Sequence, residues 1–268
     1  MISLSKVANV NDFDSKDFKN IYEKYGLSGI NPDVPINLPL LNRKTWEVAM
    51  AILSFDRYGM LDGSKEFLGI GAAKEETIII LSNNSKRVFA TDIYLDPGTW
   101  GEWYSSDILI DPRPHFDNRL NWQKTVFQHV NGMELPYENN SFDGIFSCSS
   151  IEHFGDEKDI RKSIEEVHRV LKPGGVAALS TEYKISGIDD GFHNVQLFDK
   201  NRLERVWLDG LNWTAVDFLE EDVCLSDPID FQRSINDKEY GANTWPHMVL
   251  EYNSYKWTSV HLTLVKDK

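Results

Sequence analysis

Residues 65–81, KEFLGIGAAKEETIIIL, begin as a short apolar strand, break into a glycine turn and continue with a helical pattern. Glycines let the backbone approach a ligand closely, and the helix that follows presents amide donors at its start. This order predicts a pocket for an anionic or adenosine-containing ligand. Lys74 stands where the third glycine of the dinucleotide-binding fingerprint would be. The turn therefore has two interpretations at this point, a ligand-binding loop or a tight structural turn.

Short apolar runs alternate with helical patterns through the middle of the chain. The runs are KEFLGI (65–70), RVFATD (87–92), TVFQHV (125–130), FDGIFS (142–147) and GVAALST (175–181). A helical stripe precedes the last run and ends at Pro173-Gly174-Gly175. This alternation predicts a Rossmann-like, doubly wound α/β fold with a mostly parallel, seven-stranded sheet. TAVDFLE (214–220) and SVHLTLV (259–265) predict an antiparallel pair at one edge of that sheet.

Two helices are predicted before this core. In the first, Ser15 can cap the start and Gly26 the end of an amphipathic pattern. The second is expected to bury Trp46 and to be capped near Thr45. Between them, the proline-rich segment 31–41 is expected to be an extended connector. The single predicted domain has three parts: an N-terminal helical cap (1–60), a cofactor-binding core (61–182) and a C-terminal part with loop insertions (183–268).

The composition excludes several classes of partner. The 268 residues carry 28 Lys and Arg against 42 Asp and Glu, which gives a net charge of −14. Such an acidic chain is poorly suited to bind nucleic acid or an anionic membrane surface. Its two cysteines, Cys148 and Cys224, are too few for a disulfide scaffold or a structural zinc site. No signal-peptide pattern and no apolar run of bilayer length is present, so we expect a cytoplasmic protein.

Asp92 favours the ligand-binding interpretation of the glycine turn. It ends the second predicted strand and lies 21 positions after Gly71. An acidic residue at about this distance commonly accepts both hydroxyls of a ribose. In open α/β sheets, ligands bind outside the carboxyl ends of the strands. The turn and Asp92 together therefore indicate an adenosine-containing ligand.

The most specific motifs are Leu135-Pro136-Tyr137, Ser141-Phe142-Asp143 and RVLKPGG at 169–175. Their order and spacing over residues 65–182 resemble the class I S-adenosylmethionine-dependent methyltransferases of the small-molecule type. The resemblance implies methyl transfer from S-adenosylmethionine to a small-molecule acceptor, with an oxygen of a sugar or secondary metabolite favoured. The alternatives are an N-methyltransferase, a nicotinamide-dependent oxidoreductase and a catalytically inactive cofactor-binding protein. This family's turn tolerates other residues at the third glycine position, so Lys74 counts against the oxidoreductase.

The resemblance also implies a set of cofactor contacts at the strand ends. Gly69 and Gly71 should pass under the methionine part of the cofactor, in a turn that Ala72 keeps tight. Asp92 should hold the ribose hydroxyls, and Ile93 should touch the adenine face.

The loop after the third strand departs from the family pattern. The family often has an Asp there for the adenine amino group, whereas this sequence has Asn131, Gly132 and Met133. The Asn131 oxygen and the Met133 backbone are the candidates for this contact. After the fourth strand, Ser147 and Ser149 should border the methionine and the transferred methyl group.

Methyl transfer requires an aligned acceptor and, for a hydroxyl or ammonium, the removal of one proton. Candidate bases are His153 after the fourth strand, Glu182 after the fifth and His193 in the next loop. His153 is the first choice because imidazole titrates near neutral pH, although it can instead orient the next helix. Together with Glu152 these residues lack a tight metal-ligand spacing, so no metal is expected.

Three segments, 93–124, 183–198 and 220–258, are expected to supply the acceptor site. They hold aromatic and histidine side chains: Tyr94, Trp100, Trp103, Tyr104, Phe116, Trp122, Trp245, His247 and Trp257. Such side chains also form satellite cores under long loops. As a group they predict a lid over a small, partly polar acceptor.

Overall fold

A computed structural model describes residues 1–27, 42–96, 106–192, 194–218, 229–230 and 248–268. The helices are α1 (Lys16–Tyr25), α2 (Arg43–Arg57), α3 (Glu76–Asn84), α4 (Glu157–Val170) and α5 (Lys200–Leu203). The first six strands are β1 (Lys6–Val7), β2 (Glu66–Ile70), β3 (Arg87–Asp92), β4 (Thr125–His129), β5 (Phe142–Cys148) and β6 (Leu171–Ser186). The others are β7 (Gly191–Phe192), β8 (Val195–Gln196), β9 (Trp213–Ala215), β10 (Ile229–Asp230), β11 (Leu250–Tyr252) and β12 (Tyr255–Lys266).

The main sheet confirms the predicted Rossmann-like class. Its strand order is β10-β11-β12-β6-β5-β2-β3-β4, and the five strands from β6 to β4 are all parallel. The chain runs outward from β2 to β4 and then returns to β5 on the other side of β2. The order therefore reverses between β2 and β5, where open sheets of this kind bind their ligands.

Strand β12 pairs antiparallel with β9, as predicted for residues 214–220 and 259–265, but it does not lie at the edge of the sheet. One side of β12 pairs with β6, and its other side pairs in turn with β11, β1 and β9. The main sheet thus has ten strands, and β12 lies inside it. The run 214–220 forms only the short strand β9, since Asp217 adopts a left-handed backbone with φ of 56°.

The predicted boundaries of α1 agree with the structure, whereas α4 ends at Val170, before the predicted stop at Pro173, because β6 begins at Leu171. Ser15 caps α1 by accepting the Phe18 amide, and Gly26 ends it in the left-handed conformation. Helix α2 is capped by Asn42, whose side chain accepts the Thr45 amide at 2.7 Å. The cap therefore lies three residues before the predicted one. The predicted connector 31–41 lies outside the described residues.

Helix α2 is buried along most of its length and packs against β5, β6 and β12. Trp46 is fully buried, as predicted, and its indole donates to Asp12 at 2.7 Å. A polar layer separates the helix from β12 and contains Ser54, His261 and Ser180. His261 contacts the Ser54 hydroxyl through Nε2 (3.1 Å) and the Ser180 hydroxyl through Nδ1 (2.9 Å). Both ring nitrogens are thus satisfied in a site without water access.

We predict that His261 makes the protein sensitive to acid. Burial lowers the pKa of His261 to about 3 from its ordinary 6.5. The unfolded chain therefore binds this proton below about pH 6.5, whereas the folded chain does not until about pH 3. The free energy of unfolding should fall through this window as the pH drops, by about 1.4 kcal/mol per pH unit for one proton.

Denaturant unfolding of the parent and of His261→Gln between pH 6.5 and 4 measures this contribution. The free energy of unfolding of the variant should depend less steeply on pH, by up to about 1.4 kcal/mol per pH unit, which corresponds to one proton. Equal slopes would mean that His261 does not provide the acid sensitivity.

Candidate active site

The glycine turn after β2 is shaped by its contacts with β5. Gly71 has φ of +60°, and the Ser150 hydroxyl donates to its carbonyl at 2.7 Å. A Cβ at Gly71 would lie 2.4 Å from the Ser150 Cβ, and one at Gly69 would lie 2.4 Å from the Phe146 ring. Ala72 is fully buried and donates its amide to the Thr91 carbonyl at 3.0 Å. Packing alone therefore requires both glycines, whatever the turn binds.

Asp92 connects the end of β3 to this turn. Its Oδ2 accepts the Ala73 amide (2.9 Å) and its Oδ1 accepts the Ile93 amide (2.7 Å). A carboxylate has about four acceptor sites, so two amide bonds do not use up its capacity. Ile93 is 37% exposed beside it, as a residue that lies against an adenine would be without the ligand. Asp92 and Ile93 thus lie at the end of β3, where the ribose and adenine contacts are predicted. The contacts themselves stay predictions.

Two residues without glycine's freedom adopt left-handed backbones at this edge of the sheet. Ala73 has φ of 38° in the turn after β2, and Ser149 has φ of 54° directly after β5. Such a conformation costs roughly 1–2 kcal/mol for an L-residue other than glycine. Backbone strain of this kind concentrates at ligand sites, where the surrounding structure holds it in place.

The loop after β4 is ordered by its own side chain. Asn131 accepts the Met133 amide on Oδ1 at 2.9 Å. A Cβ at Gly132 would lie 2.5 Å from the ring of Phe154, so this glycine allows the two loops to touch. The adenine contact of Asn131 or Met133 stays a prediction, since the structure bonds these two groups to each other.

The serines near the end of β5 differ in their placement. Ser147 lies inside β5 and not after it, because the strand continues to Cys148. Its hydroxyl is buried and has no hydrogen-bond partner among the described residues. Ser149 follows the strand and donates to Glu47 of α2 at 2.9 Å. Ser149 therefore connects the strand end to α2.

Glu182 lies within β6, which corrects its predicted place in the following loop. Pairing with β12 extends β6 as far as Ser186, and Glu182 stands opposite Ser259. Both of its carboxylate oxygens accept from Arg43 Nη1, at 2.6 and 2.8 Å. The side chain is 3% exposed, and burial raises the pKa of Glu182 although Arg43 opposes this change.

Arg43 also joins Glu182 to the start of α2. Arg43 Nη1 lies 3.4 Å from Glu47 Oε1, and Lys44 Nζ donates to Glu47 Oε2 at 3.0 Å. Burial disfavours the charge of Glu47, but Lys44 and Arg43 outweigh it and lower the pKa of this carboxyl. Lys44 also donates to the Cys148 carbonyl at the end of β5.

Sequence reasoning missed these three residues of α2, because their partners are distant in sequence: Ser149 lies 102 positions after Glu47, and Glu182 lies 139 after Arg43. One signal was present. Two cations open α2, whose first turn holds no acidic residue, although the dipole disfavours positive charge there.

His153 follows β5 as predicted, in a short 3₁₀ helix (Ile151–His153). Its Nδ1 lies 2.9 Å from the Asn194 carbonyl, which can only accept, so the neutral ring carries its proton on Nδ1. Burial lowers the pKa of His153 to about 4. Its Nε2 lies 3.9 Å from Glu152 Oε1.

Glu152, which also follows β5, is a further candidate base at this edge. It is fully buried, Thr181 donates to its Oε2 at 3.2 Å, and its Oε1 has no hydrogen-bond partner among the described residues. Burial, together with the charge of Glu182, raises the pKa of Glu152 to about 8. We call Glu47, Glu152 and Glu182 the carboxylate cluster.

His193, the third predicted base, lies outside the described residues. Within the described ranges, no group of three His, Cys, Asp or Glu side chains is placed to hold a metal ion. No helix in the described part of the chain is long and apolar enough to span a membrane.

The predicted aromatic lid is described only in part. Tyr94 is buried and donates to the Ala73 carbonyl at 3.0 Å, and Phe116 packs on Phe127. Trp122 is 48% exposed, and Trp257 is buried in a small cluster with Leu250. Trp257 thus belongs to a satellite core, whereas Phe116 packs against the main core. The other candidates lie outside the described residues: Trp100, Trp103, Tyr104, Trp245 and His247.

Comparison with known proteins agrees with this geometry. A family model described as a methyltransferase domain matches residues 101–179, less than a third of the chain. A 27-O-demethylrifamycin SV methyltransferase of Amycolatopsis mediterranei is 39% identical over 56 residues, 21% of this chain and 20% of that protein. An O-methyltransferase of Pyrenophora dematioidea is 41% identical over 51 residues, 19% of this chain and 18% of that protein. The chain thus spans about a fifth of the length of these curated relatives.

Solved structures resemble the whole fold. The YcgJ protein of Bacillus subtilis has a TM-score of 0.53 at 17% identity and covers 83% of this chain and 99% of its own. The [4+2]-cyclase SpnF has a TM-score of 0.54 at 14% identity and covers 98% of each chain. At such identities the likeness concerns the fold alone. This fold also carries a cyclase, so it does not by itself determine the reaction.

The fold, the strand-end residues and the domain match agree on one class. Residues 101–179 match a methyltransferase domain model, and the chain as a whole resembles the fold of the solved structures named above. The cofactor of this class is S-adenosylmethionine, and the residues present fit it. Asp92 ends β3 at the predicted ribose position, and a buried carboxyl oxygen of Glu75 in the glycine turn has no hydrogen-bond partner among the described residues.

We predict that Asp92→Ala weakens binding of S-adenosylhomocysteine, the product form of the cofactor. The lost carboxylate would leave ribose hydroxyls without an acceptor, which costs about 1–3 kcal/mol. Titration calorimetry measures the affinity, and Asp96→Ala, at an exposed aspartate four positions on, is the matched control. A folded Asp92→Ala variant with the parental affinity would remove Asp92 from the cofactor site.

Proposed function

We propose that the protein transfers a methyl group from S-adenosylmethionine to an oxygen of a small-molecule acceptor, of the sugar or secondary-metabolite type. The observation that carries this proposal is the carboxylate cluster beside the turn after β2, within a methyltransferase domain. Carboxylates and a neutral imidazole at this edge are suited to orient hydroxyl groups and to accept a proton. The curated relatives named above, which include an O-methyltransferase, support oxygen as the acceptor atom.

The chemistry places few demands on the protein. The cofactor supplies a methyl group that its sulfonium has already activated. The residues of this chain have to hold the acceptor oxygen in line with that methyl and to remove the hydroxyl proton as the new oxygen–carbon bond forms. Alignment depends on rigid supports, and the network of Arg43, Glu47 and Glu182 provides one because three elements of the fold meet in it.

His153 is the group we propose to accept the proton. Its pKa of about 4 keeps the ring neutral at physiological pH, and the bond to Asn194 leaves Nε2 as the acceptor nitrogen. Glu152 Oε1 lies 3.9 Å from this nitrogen. Glu182 is less suited to this role because Arg43 holds both of its oxygens. We propose that Glu182 positions Arg43 and the acceptor instead.

Release of S-adenosylhomocysteine from S-adenosylmethionine, screened over hydroxyl-bearing and amine-bearing small molecules, tests the proposed function. Turnover with a hydroxyl acceptor supports it, and turnover with amines alone would contradict the oxygen assignment. Tight cofactor binding without turnover on any acceptor would indicate a catalytically inactive binding protein.

We predict that His153→Ala lowers the turnover rate about a hundred- to ten-thousandfold, the usual contribution of a general base. Cofactor affinity should change little, because the lost interaction belongs to the transition state. His168→Ala is the control, since His168 lies near the end of α4 at the opposite edge of the sheet. The parental rate should fall only below about pH 5, as His153 becomes protonated. Near-parental turnover in His153→Ala would assign the base to another residue.

A further inference from the structure

Glu75 is an acidic residue of the glycine turn whose side chain does not cap the helix that it precedes. It directly precedes α3, at the position whose side chain often caps a helix, yet it makes no such hydrogen bond. Its backbone amide donates to the Ala72 carbonyl at 3.0 Å, which fixes the residue in the turn. Its Oε2 is buried and has no hydrogen-bond partner among the described residues.

The surroundings of Glu75 disfavour its charge. Burial raises the pKa of Glu75 well above its ordinary value, and the charges of Glu47 and Asp92 raise it further. Cys148 and Lys44 oppose the shift, but Lys44 is already bonded to Glu47 and to the Cys148 carbonyl. A buried carboxyl among acidic neighbours stays protonated unless a further cation arrives.

The position of Glu75 indicates which cation that is. Asp92, at the predicted ribose site, and Cys148, at the end of β5, are both near enough to Glu75 to influence its pKa. The methionine part of the cofactor is predicted to run between these two points. That part carries an ammonium group, which a carboxylate binds through short, charge-assisted hydrogen bonds.

We propose that Glu75 recognises the ammonium group of the methionine part of S-adenosylmethionine. This inference rests on the proposed function, from which it takes the cofactor. The raised pKa of Glu75 favours the neutral acid before binding, and the ammonium group favours the carboxylate in the complex. Each binding event therefore releases one proton from Glu75 to the solvent.

Two ligands distinguish recognition of the ammonium group by Glu75 from a general effect of Glu75 on the shape of the turn. S-adenosylhomocysteine carries the ammonium group, and 5′-methylthioadenosine carries the same adenosine without the amino-acid part. Both should bind the parent. Only S-adenosylhomocysteine should release a proton near pH 7, measured by calorimetry in two buffers of different ionisation enthalpy. This comparison needs no variant.

Glu75→Gln provides the second test, with Glu76→Gln as its control. Glu76 is the next residue, and it pairs with Arg119 at 3.0 Å. Glu75→Gln should bind S-adenosylhomocysteine about 10- to 100-fold more weakly and release no proton, as expected for a lost hydrogen bond to a charged group. Its affinity for 5′-methylthioadenosine should be parental, and Glu76→Gln should behave as the parent with both ligands.

Several outcomes would overturn the inference. One is a Glu75→Gln variant whose affinity for S-adenosylhomocysteine and proton release are unchanged. Another is a Glu75→Gln variant that loses the same affinity for both ligands, which would indicate a distorted turn. Proton release by the parent with 5′-methylthioadenosine would also contradict it. If neither ligand binds the parent, the cofactor itself is wrong, and the proposed function fails together with this inference.

Discussion

The ion pair of Arg43 with Glu182 connects the N-terminal helix to the centre of the sheet. Arg43 opens α2, Glu182 lies within β6, and the same guanidinium nitrogen reaches Ser259 of β12. Removing one partner would leave the other as an uncompensated buried charge, which is strongly destabilising in proteins. Because α2 packs on β5, β6 and β12, this pair fixes the helix against the strands whose ends form the site. The carboxylate cluster depends on that placement.

Most of the fold was predictable because its signals are local. Five apolar runs became the parallel strands, and Ser15 and Gly26 bounded α1 as their capping chemistry predicts. The rest depends on distant partners. Strand β1 has only two residues and becomes a strand through its pairing with β12, and no periodicity in two residues reveals this. The end of β6 is likewise determined by β12, which explains why Glu182 was assigned to a loop.

At the site, too, the features with local sequence signals were predictable and those that depend on distant partners were not. The spacing between Gly71 and Asp92 predicted where both would lie, because a strand, a turn and a helix occur in sequence. The reason for the glycine at position 69 was not predictable, since it is the approach of Phe146 from another strand. Arg43 and Glu47 were missed for the same reason. Charge states were also beyond prediction, because the raised pKa of Glu152 and the lowered pKa of His153 follow from burial.

The interior position of β12 has a consequence for the order in which the molecule folds during synthesis. The parallel strands from β2 to β6 have all been translated before residue 255, so they can pair as soon as they leave the ribosome. Strands β1, β9 and β11 cannot pair with β12 until β12 itself has been made. Residues 6–7 pair with residues 260–261, so strand β1 cannot form until those residues have been made. Contacts between residues so far apart in sequence are slow to form. The face of α2 that packs on β12 therefore stays exposed until β12 emerges.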